Sequence, residues 1–352
     1  MAIYAIWNNK GGVGKSYLTF QLASEYARQH PNKRVLVVDL CPQANSSSML
    51  LGGMIDGESR LNDIHGRQQR LTISGYIDDR IRSPYVPTKS GASYITQVSQ
   101  YNSKIPNNVY LVVGDEKLEL QSSQVSRATL PGPPDAWRTV HLWITDLISD
   151  IKHSWNNEDS CIFIDCNPSF SIYTELALTA AERLLIPFSA DGSSKRAVKA
   201  VLSLVYGQRR HPNDTQSDFY NESNRYNMSL PEIYMYIGNR LTQMNNSSAS
   251  AFKTVVEEIS DEIYSVWQSS DTPFCVHPFG ATKPNNKKSF KSMFQFEVND
   301  ANTASVVSGA LGIPIGTLTA GQRIVAGVTV TVNQSQLDKQ VPNLSELVQR
   351  IE

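Results

Sequence analysis

No apolar run in these 352 residues approaches the roughly 18 that a membrane-spanning helix needs, so insertion into a bilayer is not expected. Cysteine is scarce. Cys41, Cys161, Cys166 and Cys275 are the only four, and their spacing matches no zinc site. They read as reduced thiols beside predicted strands and loops, which excludes a secreted disulfide scaffold and points to a cytoplasmic protein. A surplus of one charge sign is missing too: 32 Lys+Arg against 33 Asp+Glu leave a formal net charge of -1. No global field then attracts nucleic acid, and any such binding requires a local basic patch. Internal repeats, low-complexity tracts and a basic-then-apolar N-terminal leader are absent, so neither a solenoid nor export is expected. What remains, 40% hydrophobic and 18% charged, suits a globular chain able to bury a full core.

The most informative stretch is Asn8-Asn9-Lys10-Gly11-Gly12-Val13-Gly14-Lys15-Ser16, between an apolar run at 3–7 and a helical pattern at 15–30. Glycines let successive backbone N–H groups face one concavity, and the opening turn of the helix adds unpaired donors and its positive dipole end. Such a cradle binds polyphosphate. Lys15 is placed for the outer phosphates, and the Ser16 hydroxyl for a Mg²⁺ bridging them.

Along the chain, strands are expected at 3–7, 34–40, 110–113, 161–164, 184–188 and 233–238, with a strand-like stretch at 274–277. Helices are expected at 15–30, 136–151, 172–182, 193–206 (N-capped by Ser193) and 251–267, with a further one around 71–81. The stretches 54–108 and 207–230 read as polar surface excursions, and 300–352 as a helical tail with helices at 303–311 and 344–351. Strand, helix, strand in this order argues a parallel α/β sheet with ligands at the carboxyl edge.

The ordinary phosphate-loop pattern requires Gly where Asn9 stands. The run from Lys10 to Ser16 instead resembles the deviant Walker A loop, Lys-Gly-Gly-x-Gly-Lys-Ser/Thr, of the ParA/MinD (Soj-like) family of P-loop ATPases. Two further stretches extend the resemblance: Asp39-Leu40-Cys41-Pro42-Gln43-Ala44-Asn45 is similar to the switch I signature, and Ile162 to Ser169 to the Walker B and switch II segment. The resemblance implies a three-layer P-loop fold, with a mostly parallel twisted sheet and helices on both faces, in one ATPase domain over 1–352. Its cofactors would be ATP, gripped by Lys10 to Tyr17, and Mg²⁺, held by Ser16, Asp39 and Asp165.

The resemblance further implies that Lys10 reaches the nucleotide of a partner subunit, so that ATP holds a homodimer together. Asp39, Lys10 and Lys15 would be catalytic. The family's second switch I carboxylate, associated with the attacking water, is Cys41 here. A thiol beside a triphosphate is a poor base, so hydrolysis should be slow, unless Gln43, Asp39 or a partner's group takes over the role. Asn239-Arg240 resembles an adenine-contacting pair but is equally suited to a turn.

The implied partners are non-specific DNA, which would make the ATP form nucleoid-associated, and a ParB-type adaptor that stimulates hydrolysis. Two basic clusters, Lys195/Arg196/Lys199 and Lys283/Lys287/Lys288/Lys291, are candidate phosphate contacts or ordinary solvated faces. The alternatives are an ATP-locked scaffold with negligible turnover and a MinD-like positioning regulator. The latter should carry an amphipathic basic helix, which 344–351, with Glu346, does not supply. Cysteines flanking the Walker B strand do not suggest the shared cluster of a nitrogenase-reductase-like electron donor.

Overall fold

The computed structural model describes residues 2–130, 132–189, 191–209, 211, 213–241, 246–300 and 302–352, with the side chains of 240–241 and 246–252 left aside. The first half runs β1 (Ile3–Ile6), α1 (Lys15–Gln29), β2 (Arg34–Asp39), α2 (Asn45–Leu51), α3 (Gly53–His65), α4 (Ile73–Arg82), β3 (Ile95–Gln97), β4 (Val109–Val112), α5 (Leu118–Ala128), α6 (Ala136–His141), α7 (Trp143–Ser154) and β5 (Ser160–Asp165). The second half continues with α8 (Ile172–Ala180), β6 (Arg183–Phe188), α9 (Ser194–Tyr206), α10 (Asp218–Arg225), β7 (Glu232–Leu241), α11 (Asn246–Ser269), α12 (Lys287–Phe294), β8 (Gln295–Asn299), α13 (Thr303–Leu311), β9 (Gly321–Val325), β10 (Val328–Val332) and α14 (Gln334–Gln349).

Eight strands form one sheet in the order β3-β4-β2-β5-β1-β6-β7-β8. All pairings are parallel except that of the edge strand β3 with β4. The alternation of side chains in a strand divides the core into two layers. Ala5 and Trp7, Leu36 and Val38, and Ile162 and Ile164 face one side, under α4, α5, α7, α8, α9 and α11. Tyr4 and Ile6, Val35 and Val37, and Cys161 and Phe163 face the other, under α1, α2, α3 and the end of α14. This is the expected three-layer arrangement, and it delivers the carboxyl ends of β1, β2 and β5 to one edge.

Several local expectations are corrected. Besides α4, which answers to the helix expected around 71–81, the 54–108 excursion holds β3 and most of α3, and it buries Leu61, Ile64, Tyr76 and Val98. Within 207–230 lies α10, whose Phe219 is buried. The 136–151 helix is two helices, parted at Leu142. Residues 274–277 form no strand, only a bridge from Phe274 to Ile233, while 295–299 do pair with β7. The tail is not wholly helical. Gly321–Val325 and Val328–Val332 make an antiparallel hairpin over a small core of Val307, Ile315, Val332 and Leu337.

Candidate nucleotide and magnesium site

The loop from β1 to α1 turns on two left-handed residues, Gly12 (φ 77°) and Gly14 (φ 80°), where any other side chain would be strained. A Cβ built at Gly11 or Gly12 would meet nothing within 4 Å, so the loop faces open space. Over it lies a cavity of about 740 Å³, lined by Gly11 to Gly14 (Val13 excepted), Lys15, Ser16 and Tyr17. Gly14 caps α1, whose first turn carries no acidic residue, and the unpaired N–H groups and dipole there favour an anion. Ser305 and Gly309 of α13 close the cavity beside Met49 and Tyr17, a contribution of the C-terminal segment that local sequence pattern does not disclose.

Two buried amides pin the loop from the ends of neighbouring strands. Asn8 Nδ2 donates to the Pro187 carbonyl at 2.7 Å, and Asn239 Nδ2 donates to the Val13 carbonyl at 2.9 Å and that of Gly14 at 3.4 Å. Asn239 thus holds the phosphate loop with its donor end, while its Oδ1 is buried without a partner among the described residues. The side chain of Arg240 lies outside the described residues. Lys15 is 6% exposed, and its ammonium folds over the loop onto the carbonyls of Lys10 (2.7 Å) and Asn8 (3.3 Å). Burial lowers the Lys15 pKa, and the nearby Asp165 acts to raise it.

β2 and β5 run in register, so their last residues, Asp39 and Asp165, stand side by side and fully buried. They differ in their partners. Asp39 accepts from the Ser47 backbone (3.0 Å), the Ser47 hydroxyl (2.7 Å) and the Cys41 backbone (3.1 Å). It thereby fastens the 41–47 loop, a role that its place in the motif did not reveal. Both Asp165 oxygens, and the Ser46 hydroxyl, are buried with no partner among the described residues. Burial, then the neighbouring Asp39, pushes the Asp165 carboxyl up to about 7, while the Ser16 and Ser46 hydroxyls act to lower it. Asp39 is raised by burial as well, against its own hydrogen bonds.

A buried carboxylate with both oxygens free, next to two hydroxyls and under a phosphate cradle, is a donor set for a hard divalent cation. No group of three or more His, Cys, Asp or Glu among the described residues could hold a metal alone, so hydroxyl and phosphate oxygens must complete its shell. The residues therefore fit Mg²⁺ with nucleotide, with Asp165 and Ser16 among the groups that would hold it. Cys41 and Cys166 line the same cavity. Burial first, then Asp39 and Asp165, pushes the Cys41 thiol up to about 12, so it stays protonated near neutral pH and offers the water no free base.

Lys10 does not line the cavity. Its ammonium is paired with Asp191 and lies 3.1 Å from the Ser189 and 3.3 Å from the Ser194 hydroxyl, in the β6–α9 turn of its own chain. Asp191 is the functional neighbour that motif reading missed. Its Oδ1 also accepts from the Ser193 backbone at 3.0 Å, so Asp191 rather than Ser193 caps α9 with its side chain. Burial raises the Asp191 carboxyl, but Lys10, Ser189 and Ser193 outweigh it and hold the group below the usual carboxylate range.

The two basic clusters flank α11 and are tied to its acidic face. Lys195 pairs with Glu258 (3.1 Å), Lys199 with Glu262 (2.8 Å) and Lys291 with Glu257 (2.6 Å). Lys287 pairs with Glu257 and Asp261, and Lys283 with Asp271. Among the described residues Arg196 and Lys288 alone in these clusters carry no ion pair.

The profile of a protein family described as an AAA domain matches residues 1–216. The chain is a member of the ParA/MinD-like P-loop ATPases. Sporulation initiation inhibitor protein Soj of Bacillus subtilis (strain 168) is 27% identical over 211 residues, 60% of this chain and 67% of that protein. A ParA family protein of Chlamydia muridarum (strain MoPn / Nigg) is 24% identical over 237 residues, 66% of this chain and 78% of its own length. Apo McdA of Cyanothece superposes with a TM-score of 0.58 over 99% of this chain and 98% of that one, at 14% identity, a likeness of fold. In this ParA/MinD-like chain no helix among the described residues is long and apolar enough to cross a membrane.

Proposed function

We propose that this protein is an ATP-driven dimer switch of the partition type, which binds Mg-ATP, pairs with a second copy and hydrolyses the nucleotide slowly. The observation that carries the reading is the division of labour between two lysines. Lys15 is committed to the phosphate loop, whereas Lys10 stands outside the cavity, half-buried against the β6–α9 turn and surplus to binding in its own chain. A surplus cation at the mouth of a nucleotide cleft suits a partner's phosphates: two Mg-ATP molecules brought face to face repel, and a lysine lent by each subunit offsets that repulsion.

In the reaction, water attacks the γ-phosphorus, the bond to the β–γ bridging oxygen breaks, and ADP and phosphate leave. Mg²⁺, when bound, neutralises charge on the β- and γ-phosphates. Backbone donors of Gly11 to Ser16 and the Lys15 ammonium position the triphosphate. Asp165 and Ser16 hold the cation in place, and Asp39 sets the loop that carries Cys41 and Gln43 against the γ-phosphate. Asn239, buried and absent from the lining of the cavity, serves to hold the phosphate loop, and a preference for adenine over guanine rests on the family resemblance alone.

Soj and the ParA family protein among the relatives support a partition or cargo-positioning role, in which the ATP dimer binds DNA non-specifically, associates with the nucleoid, and meets a ParB-type adaptor that speeds hydrolysis. A second reading, an ATP-locked scaffold, draws on the Cys41 thiol raised to about 12. A membrane-anchored regulator is disfavoured, because Leu337, Leu344, Leu347 and Val348 of α14 are buried in the protein. The test is light-scattering chromatography in ADP, ATP and a non-hydrolysable analogue, with DNA binding measured on each peak. A monomer in all three nucleotides would end the reading.

A further inference from the structure

Ser46, in the first turn of α2 just after the switch I stretch, has a fully buried hydroxyl with no partner among the described residues. That is an unusual thing for a fold to retain. A buried hydroxyl left without a hydrogen bond is destabilising, and its immediate neighbour shows how readily the same loop satisfies such a group. The Ser47 hydroxyl donates to Asp39 at 2.7 Å and accepts from the Gly114 backbone at 2.9 Å. Ser46 lies instead near the paired carboxylates, close enough to act on both Asp39 and Asp165. One of those, Asp165, likewise keeps both oxygens unpartnered. The Ser46 hydroxyl is near enough to lower the Asp165 carboxyl, yet neither group has a hydrogen bond of ordinary geometry among the described residues, as expected where a third species belongs between them.

We propose that Ser46 is a positioning residue for the magnesium ion, its hydroxyl acting beside Asp165 on the oxygen shell the cation would carry. This rests on the nucleotide-and-Mg²⁺ reading above and assigns it a residue outside the phosphate loop and the two strand-end carboxylates. Because Ser46 rides on the loop that Asp39 fastens, the arrangement couples occupancy of the metal site to the seating of residues 41–47, where Cys41 and Gln43 stand. A role with metal and nucleotide accounts for a hydroxyl that has no hydrogen bond of ordinary geometry among the described residues.

The proposal predicts two effects of Ser46→Ala that a structural hydroxyl would not produce together. Without ligand, removing an unsatisfied buried hydroxyl leaves thermal stability unchanged or raised, whereas Ser47→Ala, which breaks two real hydrogen bonds, lowers it. With ligand, ADP affinity measured by calorimetry is unchanged in EDTA, but the gain brought by added Mg²⁺ shrinks about tenfold, the size typical of residues that orient a metal's immediate ligands. A Mg²⁺ gain equal to that of the parent would overturn the proposal. So would an equal loss of affinity with and without Mg²⁺ accompanied by a lowered melting temperature, since that is the signature of a packing role. A parent protein that gains nothing from Mg²⁺ would remove the underlying nucleotide reading itself, a result distinct from either.

Discussion

Replacing Asp191 with Asn should make the protein pair more readily in ATP. Lys10 is held in its own chain by Asp191 and the Ser189 and Ser194 hydroxyls, and it must leave them to reach a partner's phosphate. The pair is partly open to water, with the Lys10 side chain 22% and that of Asp191 48% exposed, so its hold is in the range of a screened ion pair, about 1 kcal/mol at most. Both subunits must release a lysine. The cost therefore enters twice, and removing it favours the dimer by up to about 2 kcal/mol, or roughly 30-fold in the association constant. Asn keeps the Oδ1 acceptor that receives the Ser193 backbone N–H, so the start of α9 is preserved while the charge is lost. Analytical ultracentrifugation in a non-hydrolysable ATP analogue reads the effect directly. A dimer constant within twofold of the parent, in a variant of unchanged melting temperature, would show that Lys10 is not drawn from this turn on pairing. A weaker dimer would show that Asp191 itself belongs to the interface.

Three further outcomes follow from the same geometry. Cys41→Asp should raise single-site ATP turnover by about 10²-fold or more, because a thiol held near 12 is exchanged for a carboxylate able to accept a proton; an unchanged rate with and without DNA or adaptor would show that another group serves the water. The unliganded protein should lose stability as pH rises from about 4 to about 7, since the folded Asp165 keeps its proton up to about 7 while the unfolded one has released it, and Asp165→Asn should flatten that dependence in chemical unfolding. Glu257→Gln combined with Asp261→Asn releases Lys287 and Lys291 from α11, and should tighten non-specific DNA binding and steepen its salt dependence by about one unit of slope per lysine freed. An unaltered slope would place the DNA site elsewhere.

What was legible in advance follows from how strongly each segment states its burial. The inner strands are buried on both faces and appear as unbroken apolar runs, such as Val35 to Val38, and the phosphate loop is written in glycines whose spacing has one purpose. α3 was hidden because its buried face is built largely from Gly53 and Gly57, with only Leu61 and Ile64 as apolar markers. α12 looked like a basic loop. Its helix is secured by an Asn286/Ser289 capping box and by Phe290 and Phe294 beneath a lysine-rich surface, and its charges are answered by α11, which is distant in sequence. The β9–β10 hairpin carried a readable signal in the alternation Val328-Thr329-Val330-Thr331-Val332 after Ala326-Gly327, but the helical stretches on either side set the reading of the tail.

The site shows the same division. Motif spacing located Lys15, Ser16, Asp39 and Asp165, which the fold brings to one sheet edge, yet it was silent on their partners. Asp191 and Ser46 matter only through tertiary proximity, Asp191 to Lys10 and Ser46 to the paired carboxylates. Asn239 was read as an adenine contact or a turn former, whereas its amide nitrogen is spent on the Val13 and Gly14 carbonyls, which no local pattern could foretell.

In the proposed switch a γ-phosphate joins two copies through a lysine lent by each. The most direct measurement is the sedimentation of Lys10→Ala beside the parent, each with ADP and with a non-hydrolysable ATP analogue, after calorimetry has shown that both bind nucleotide equally well. The parent should be a dimer in the analogue alone, and Lys10→Ala a monomer in either nucleotide. A Lys10→Ala protein that pairs as readily as the parent would contradict the proposed switch.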